Sequence, residues 1–324
     1  MKVIDSTSTD VYFNLAMEEY LFKNFMDTDY LILWKNHDSI VLGKHQNIFE
    51  EINLLAVEKS EIQVARRNTG GGTVFHDEQN LNYSFITSQD EGFSNYDQFL
   101  TPMISALNKM GIPAAKRRNS DIAIGEQKIS GSAQTIRKGR VLHHGTLLYD
   151  SDLSLLKNLL KPTDGKIISK SVKSVRSDVT NIKKHLGDLS LSLDDFKEQL
   201  LENLFPDGFE RISLNDADIA AIRELVAEKY SQWEWNYGLS PKFHFEKQSL
   251  VSDKDTQSKK VAVKLEISKG IITGCQVMVD ELVNAEIQEA LIGVRYGYQR
   301  ILKKLSSTGL VGNIELDALT ACFL

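Results

Sequence analysis

The period of the apolar positions changes along the chain, and each change predicts an element. Behind Ser8-Thr9-Asp10, which offers N-cap chemistry, Val11, Leu15, Leu21, Phe22 and Phe25 recur at helical spacing and predict a helix over Asp10–Phe25. Leu31–Trp34 and Ser39–Leu42 are short apolar runs that predict two strands, joined as a hairpin across Asn36-His37-Asp38. Glu50–Ser60 predicts a helix, Ile62–Ala65 and Leu81–Thr87 predict strands, and Tyr96–Met110 predicts a helix closed by Gly111 and Pro113. Three β-like runs come next, Asp121–Ile124, Lys128–Ile136 and Val141–Tyr149, with turn signals at Gly125-Glu126 and Lys138-Gly139. This is an antiparallel meander, not a βαβ series, so the fold class is α+β, with mixed or antiparallel sheets flanked by helices.

Leu153–Leu160 predicts a short helix stopped by Lys161-Pro162. Thr163–Thr180 lacks apolar periodicity and carries Lys166, Lys170, Lys173 and Arg176; a loop of that length in a compact domain is functional or disordered. Helices are predicted at Leu193–Asn203 and Asp216–Tyr230. Two strands, the second at Gly270–Val279, and helices near Glu281–Leu291 and Gly293–Leu305 complete the chain. The polar stretch Lys247–Lys260 marks a domain boundary or an exposed turn, which divides the chain into a large domain, 1–245, and a small α+β domain, 246–324.

Composition narrows the class. At 324 residues the chain can bury a sizeable core, and 42% hydrophobic with 25% charged residues is ordinary for a soluble globular protein. A net charge of −6 argues against a general nucleic-acid binder. Cys275 and Cys322 are too few for a disulfide framework, the N-terminus lacks a signal-peptide core, and no apolar run approaches a membrane span. The expected setting is reducing and cytoplasmic, with neither nucleic acid nor membrane as partner.

Two stretches could carry chemistry. Arg66-Arg67-Asn68-Thr69-Gly70-Gly71-Gly72-Thr73-Val74-Phe75-His76-Asp77 places three glycines between strands. Backbone free to adopt positive φ can converge several N–H groups on an anion, with the guanidinium groups pairing to the same ligand; the alternative is a strained hairpin with two solvated arginines. His76-Asp77 is read as a turn that caps its own backbone rather than an acid–base pair. In Lys128-Ile129-Ser130-Gly131-Ser132-Ala133-Gln134, strand alternation should put Lys128, Ser130 and Ser132 on one face. An inward lysine there would need an anion, and an outward one would be an ordinary solvated edge residue. His143 and His144 fall on opposite faces of the next strand, one expected at solvent and one in a satisfied core position. Neither stands at metal-ligand spacing from a carboxylate or cysteine. The Trp233–Tyr237 aromatics read as packing.

Together these pieces resemble the lipoate–protein ligases. The glycine-rich run followed by Asn80-Leu81-Asn82 is similar to the family's signature. Lys128-Ile129-Ser130-Gly131-Ser132-Ala133, His143-His144-Gly145-Thr146-Leu147-Leu148, Ser174-Val175-Arg176-Ser177 with Val179-Thr180-Asn181, and Trp233-Glu234-Trp235-Asn236-Tyr237-Gly238 match four further blocks in order. The resemblance implies a biotin/lipoate-ligase type catalytic domain with a small C-terminal accessory domain. It implies a reaction in which ATP, with Mg²⁺, activates lipoate to lipoyl-AMP. The lipoyl group then passes to a lysine of a lipoyl domain of a 2-oxoacid dehydrogenase complex or of the glycine cleavage H protein. Octanoate is the competing substrate. By the same resemblance Arg67, Gly71, Gly72, Thr73, Val74, Phe75 and His76 would line the nucleotide and lipoate site. Ser130, Gly131, Ser132, Ala133, His144 and Arg176 would complete it. Lys128 would be the catalytic residue, touching both the carboxylate and the α-phosphate, and Thr163–Asn181 would close over the adenylate. Asp121 is the candidate carboxylate for the metal carried by ATP.

Three positions depart from the family pattern. Gln79 stands in place of glycine, Asp178 in place of arginine before Val-Thr-Asn, and Asn119-Ser120-Asp121 in place of a tighter Arg-Asn-Asp. Asp178 puts one phosphate contact in doubt. Two rivals therefore stand beside the ligase: a lipoyl or octanoyl transferase with weak or no adenylation, and a non-catalytic lipoate- or nucleotide-binding regulator. An acyl-cysteine transferase is disfavoured because no cysteine precedes Cys275.

Overall fold

The computed structural model describes residues 1–60, 62–88, 95–161, 164–187, 191–252, 257–308 and 314–324. They form two compact units. The first comprises 1–44, 63–154 and 175–232, and the second comprises 45–62, 155–174 and 233–324. Among the described residues no helix is long and apolar enough to cross a membrane.

The first unit is built on an eight-stranded sheet. Its spatial order is Glu210–Arg211, Lys2–Asp5, Tyr30–Trp34, Asn80–Ser88, Arg140–Leu148, Gln127–Arg137, Asp121–Ile124 and Ala114–Arg118. The expected meander forms its far half, all antiparallel. One face of the sheet, carrying Leu31, Leu33, Leu81, Tyr83, Phe85 and Val141, packs on Phe99, Leu100, Met103, Phe196 and Leu200 of helices Asp97–Lys109 and Leu193–Leu204. Burying that apolar face against two amphipathic helices is the main source of the unit's stability. The opposite face carries Ser84 and His144 and lies under the helix Val11–Asn24, whose Glu18 reaches both. Asp10 caps this helix by accepting from Tyr12 N at 2.9 Å.

The predicted hairpin across Asn36-His37-Asp38 does not form. Tyr30–Trp34 lies inside the large sheet, while Ser39–Leu42 is the middle strand of a separate three-stranded sheet with Gln63–Arg66 and Val74–His76. The linker's polar groups bond elsewhere instead of to each other. Asn36 is fully buried, accepts from Asn14 Nδ2 and donates to His76 Nδ1, and His37 N donates to Thr9 O. The helix expected over Glu50–Ser60 is two short ones, Ile48–Glu51 and Leu54–Lys59. Ile52 is extended between them, and the Asn53 side chain caps the second at Ala56 N.

The second unit holds a five-stranded sheet ordered Lys166–Ser169, Phe243–Ser252, Ser258–Ser268, Ile271–Val279 and Leu282–Val283. Most of the polar stretch Lys247–Lys260 is therefore strand, with Val261, Val263, Leu265 and Ile267 buried on alternate positions beyond it; residues 253–256 lie outside the described residues. The strand Phe243–Ser252 also runs unbroken through position 245/246. Nor is the stretch after Leu160 a structureless loop. Pro162 and Thr163 lie outside the described residues, Lys166–Ser169 is a strand, and the next residues are held by two adjacent carboxylates of the helix Ile48–Glu51. Glu50 accepts from the hydroxyls of Ser169 and Ser171 and pairs with Lys173, and Glu51 accepts from Ser174 N and its hydroxyl. Trp233 stacks on Tyr237 at 5.9 Å with the Arg295 guanidinium on its ring, which is the packing role expected of those aromatics.

Candidate functional site

The glycine run joins Gln63–Arg66 to Val74–His76. Both arginines before it are buried rather than solvated, and both spend donors on backbone carbonyls. Arg66 Nη1 donates to Gly43 O and Lys44 O. Arg67 Nη1 donates to Val41 O, Nη2 to Gly70 O and Gly72 O at 2.7 Å each, and Nε to Thr69 Oγ1 at 3.0 Å. Burial pulls both guanidinium groups down to about 10, which leaves them charged at neutral pH. Gly71 has φ +89°, and a Cβ there would meet Arg67 Nη2 at 2.8 Å and Ala133 Cβ at 3.4 Å. The turn is thus wound around the Arg67 guanidinium and seated on the strand that carries Lys128.

That strand does not alternate as expected. Asp121 pairs with Gly131 and Ile122 with Ser130, but Ala123 pairs with Lys128, so one residue is inserted opposite Ile122/Ala123. Directly paired residues point to the same side of a sheet, and a bulge re-aims the residues beyond it. Lys128 therefore shares a face with Asp121, Gly131, Ala133 and His144, while Ser130 and Ser132 turn to the other face. Ser130 is fully buried there, and Ser132 Oγ donates to Ser120 O. Lys128 Nζ lies 2.9 Å from Asp121 Oδ1, with the lysine side chain 24% and the aspartate 6% exposed. A Cβ on Gly131 would fall 2.6 Å from that ammonium, so only glycine lets the lysine head lie across the strand. The backbone of Lys128 is fixed from outside the sheet: its N donates to Asp178 O, and Thr180 N donates to its carbonyl.

Val74 and Phe75 are strand residues paired to Val41 and Ile40, with Phe75 buried; Gly72 and Thr73 are half-buried at the end of the turn. His76 is buried, accepts from Asn36 at Nδ1, and has no partner at Nε2 among the described residues. Asp77 caps its own turn, as expected, by accepting from Gln79 N, and it also accepts from Ser151 Oγ and Asp152 N. Gln79 is not among the positive-φ residues, so the departure from glycine there introduces no strain. Arg176 is exposed on the approach to Val179. Asp121, the candidate metal carboxylate, is an ion-pair partner of Lys128, and no cluster of three potential ligands stands among the described residues.

Sequence reasoning missed what grips the turn. Glu18 and Glu19 of the first helix are buried and hold residues 69 and 68 respectively. Glu18 Oε1 accepts from His144 Nδ1, whose Nε2 lies 2.7 Å from Thr69 Oγ1. Glu19 binds Asn68, Lys229, Tyr230 and Lys23. Burial alone would raise its carboxyl, but those hydrogen bonds outweigh burial and hold it at about 2. The available signal was a pair of adjacent glutamates in an otherwise apolar stretch of helix.

Neither histidine of the His143-His144 pair faces solvent. His143 is fully buried, stacked on Phe99 at 4.5 Å, and burial pushes it down to about 3; His76 is likewise held at about 3 by burial, with Arg67 adding to the effect. A base with a folded pKa below its unfolded value binds its proton only on unfolding, so stability is full above pH 6.5 and falls as pH drops towards 3. Between pH 7 and 5 each histidine should remove about 2 kcal/mol. In urea titrations at both pH values, His143→Phe should shrink the drop by about that much. An unchanged drop would show that His143 titrates normally.

The comparisons with known proteins agree with this architecture. Residues 10–205 match the family model described as the lipoyl protein ligase A/B catalytic domain, and residues 240–323 match the bacterial lipoate protein ligase C-terminus. Lipoate–protein ligase 1 of Staphylococcus aureus is 37% identical over 96% of this chain and 95% of its own. Lipoate-protein ligase LplJ of Bacillus subtilis is 38% identical over 98% of each. Among solved structures, a Thermoplasma acidophilum protein with bound lipoic acid superposes with a TM-score of 0.62 at 27% identity, covering 73% of this chain and 98% of that one. A bi-partite lipoate protein ligase described with its E2 lipoyl domain, from the same organism, also gives 0.62, at 27% identity over 74% of this chain and 96% of that one. Lipoate-protein ligase A bound with ATP gives 0.61, at 28% identity over 74% and 97%. The fold is that of the biotin/lipoate ligases. The chain belongs to the lipoate–protein ligase family and is a ligase.

Proposed function

We propose that this chain activates lipoate with ATP and hands the lipoyl group to a protein lysine. The lipoate carboxylate attacks the α-phosphorus of ATP, the bond to pyrophosphate breaks, and lipoyl-AMP forms. The amine of an acceptor lysine then attacks the lipoyl carbonyl, loses a proton, and AMP departs. The observation that carries this reading is the Lys128 ammonium laid across Gly131, next to Ala133 on which Gly71 is seated. It sets a compact cation where a carboxylate and a phosphate must approach, and charge that develops between two anions is what such a group stabilises. Gly71, Gly72 and Thr73 would present the turn's backbone to the nucleotide phosphates, with Arg67 holding the turn's shape from beneath. Val74, Phe75, His76 and Ala133 would line the lipoate side, and His144 would support the turn. Ser130 and Ser132 lie on the far face and would act only through the strand. Arg176, with the rest of 175–181, would cover the adenylate and keep water from the mixed anhydride.

Mg²⁺ fits this site as an ion carried by the ATP phosphates, since Asp121 offers a single carboxylate; it would neutralise phosphate charge. We assign the catalytic role to 1–245 and an accessory role to 246–324. Acceptors are lipoyl domains of the E2 type and the glycine cleavage H protein, octanoate is a competing substrate, and the setting is cytoplasmic. A thiol acyl-enzyme does not suit the chain. Cys275 and Cys322 both lie in the second unit, and burial pushes both thiols up, Cys275 to about 12.

Asp178, in place of an expected arginine, favours one second reading, a transferase that uses preformed lipoyl-AMP. Exchange of labelled pyrophosphate into ATP separates the two. The ligase should exchange label only when lipoate is present. Transfer from supplied lipoyl-AMP without exchange would establish the transferase, and absence of both would overturn the assignment.

A further inference from the structure

Two groups that can only donate hydrogen bonds stand at opposite ends of a buried polar chain in the first unit, and both ends lead to one carboxylate oxygen. From one end, Trp34 Nε1 donates to Ser84 Oγ at 2.9 Å, and Ser84 donates to Glu18 Oε1 at 2.6 Å. From the other, Arg67 Nε donates to Thr69 Oγ1 at 3.0 Å, Thr69 Oγ1 meets His144 Nε2 at 2.7 Å, and His144 Nδ1 meets Glu18 Oε1 at 2.7 Å. Glu18, Thr69, Ser84 and His144 are all buried. An indole and a guanidinium have no acceptor, and a carboxylate has no donor, so with a neutral imidazole between them the ends set the protons of the chain, although the Arg67 Nε–H is shared with Gly70 O at 3.2 Å. His144 must carry its proton on Nδ1, for Glu18, and accept at Nε2 from the Thr69 hydroxyl. That hydroxyl's other acceptor, Gly70 O, lies at 3.5 Å and cannot compete.

We propose that Glu18 is a positioning residue for the glycine turn. It holds His144 as the Nδ1–H tautomer, His144 fixes Thr69, and Thr69 aligns the Arg67 guanidinium that binds the carbonyls of Gly70 and Gly72. The catalytic relevance of this relay rests on the reading of that turn as the nucleotide-phosphate cradle. Glu19 grips Asn68 independently, so a variant of Glu18 keeps the second anchor of the same loop. An amide at position 18 offers His144 a neutral oxygen in place of a charged one, and the turn loses its directional restraint.

The test uses the full chain in three measurements. In the parent, a long-range nitrogen–proton NMR spectrum of the histidine side chains should show His144 protonated on Nδ1; protonation on Nε2 alone overturns the relay without any variant. Amide exchange of the peptide spanning 66–77 should quicken about tenfold in Glu18→Gln and in Thr69→Val, with peptides from the apolar core unchanged. Coupled residues are non-additive, so the double variant should exchange no faster than either single one, and Thr69→Ser should recover most of what Thr69→Val loses. Unchanged exchange in Glu18→Gln, or effects that multiply to about a hundredfold in the double variant, overturns the relay. In pyrophosphate exchange, Glu18→Gln should raise KM for ATP about tenfold and leave KM for lipoate within about twofold, a split that general destabilisation does not produce. A parent with no lipoate-dependent exchange defeats the adenylation reading alone, because the NMR and amide measurements still decide whether Glu18 positions the turn.

Discussion

Replacing Lys128 by alanine should slow lipoate adenylation by about two to four orders of magnitude, the scale of a lost electrostatic contact at a reacting centre. Lys128 is fixed through both its side chain and its backbone. Asp121 pairs with it at 2.9 Å, Gly131 leaves the space it occupies, and the 178–180 segment hydrogen-bonds its backbone. Such fixation is what makes a cation catalytic rather than merely attractive, since no reorganisation is needed when charge develops. Lys128→Arg should restore little, because a planar fork cannot take the place of a compact ammonium lying across a glycine. Transfer from supplied lipoyl-AMP should fall as well if the same ammonium holds the adenylate. Loss of the lysine leaves the buried Asp121 carboxylate unpaired, which destabilises the site. The double variant Lys128→Ala/Asp121→Asn removes that complication, and circular dichroism checks the fold. Single-turnover rates within about threefold of the parent, under 1 kcal/mol of barrier, would reduce Lys128 to an ion-pair partner of Asp121.

Gly71→Val should abolish activity by at least about a hundredfold, through geometry alone. The residue sits at φ +89°, which a β-branched side chain adopts only under strain of about 1–3 kcal/mol. Its first side-chain carbon would also land 2.8 Å from the guanidinium around which the turn is wound. The turn must rearrange, and the phosphate-facing backbone goes with it. Because the damage is local, the melting temperature should fall by only a few degrees, about what 1–3 kcal/mol produces in a chain of this size. Gly70 supplies the structural control. A Cβ there meets nothing within 4 Å and φ is not positive, so Gly70→Ala should melt with the parent. Parental binding of ATP and lipoate by a folded Gly71→Val protein, measured by calorimetry, would remove the turn from the site.

Much of this was legible in the residues. The helical period behind Asp10, the close-set runs from Asp121 to Tyr149 and the glycines between two strands were each specified within a few positions, because local backbone preference and one buried face suffice to set them. The family too was legible, because its five blocks lie in order along the chain. The errors fell where a distant group decided the matter. Asn36 looked like a hairpin residue, but its amide bonds to Asn14 and His76, and the two strands went to different sheets.

Neighbours a few residues apart sufficed for most of the element types, the α+β class, the glycine turn and the lysine strand, but not for the strands at Lys166–Ser169 and within Lys247–Lys260. The direction in which the chemistry points was set by contacts across the fold. One inserted residue between Lys128 and Ser130 put the lysine with Asp121 and His144 and sent the serine into the core. No period-two reading can foresee that, since a bulge is defined by the partner strand. The arginines that looked free for a ligand were turned onto backbone carbonyls, and Glu18, silent in its helix, became the acceptor on which a buried hydrogen-bond chain ends. A buried polar group must find its partner wherever the fold supplies one, and that partner lay 126 residues away.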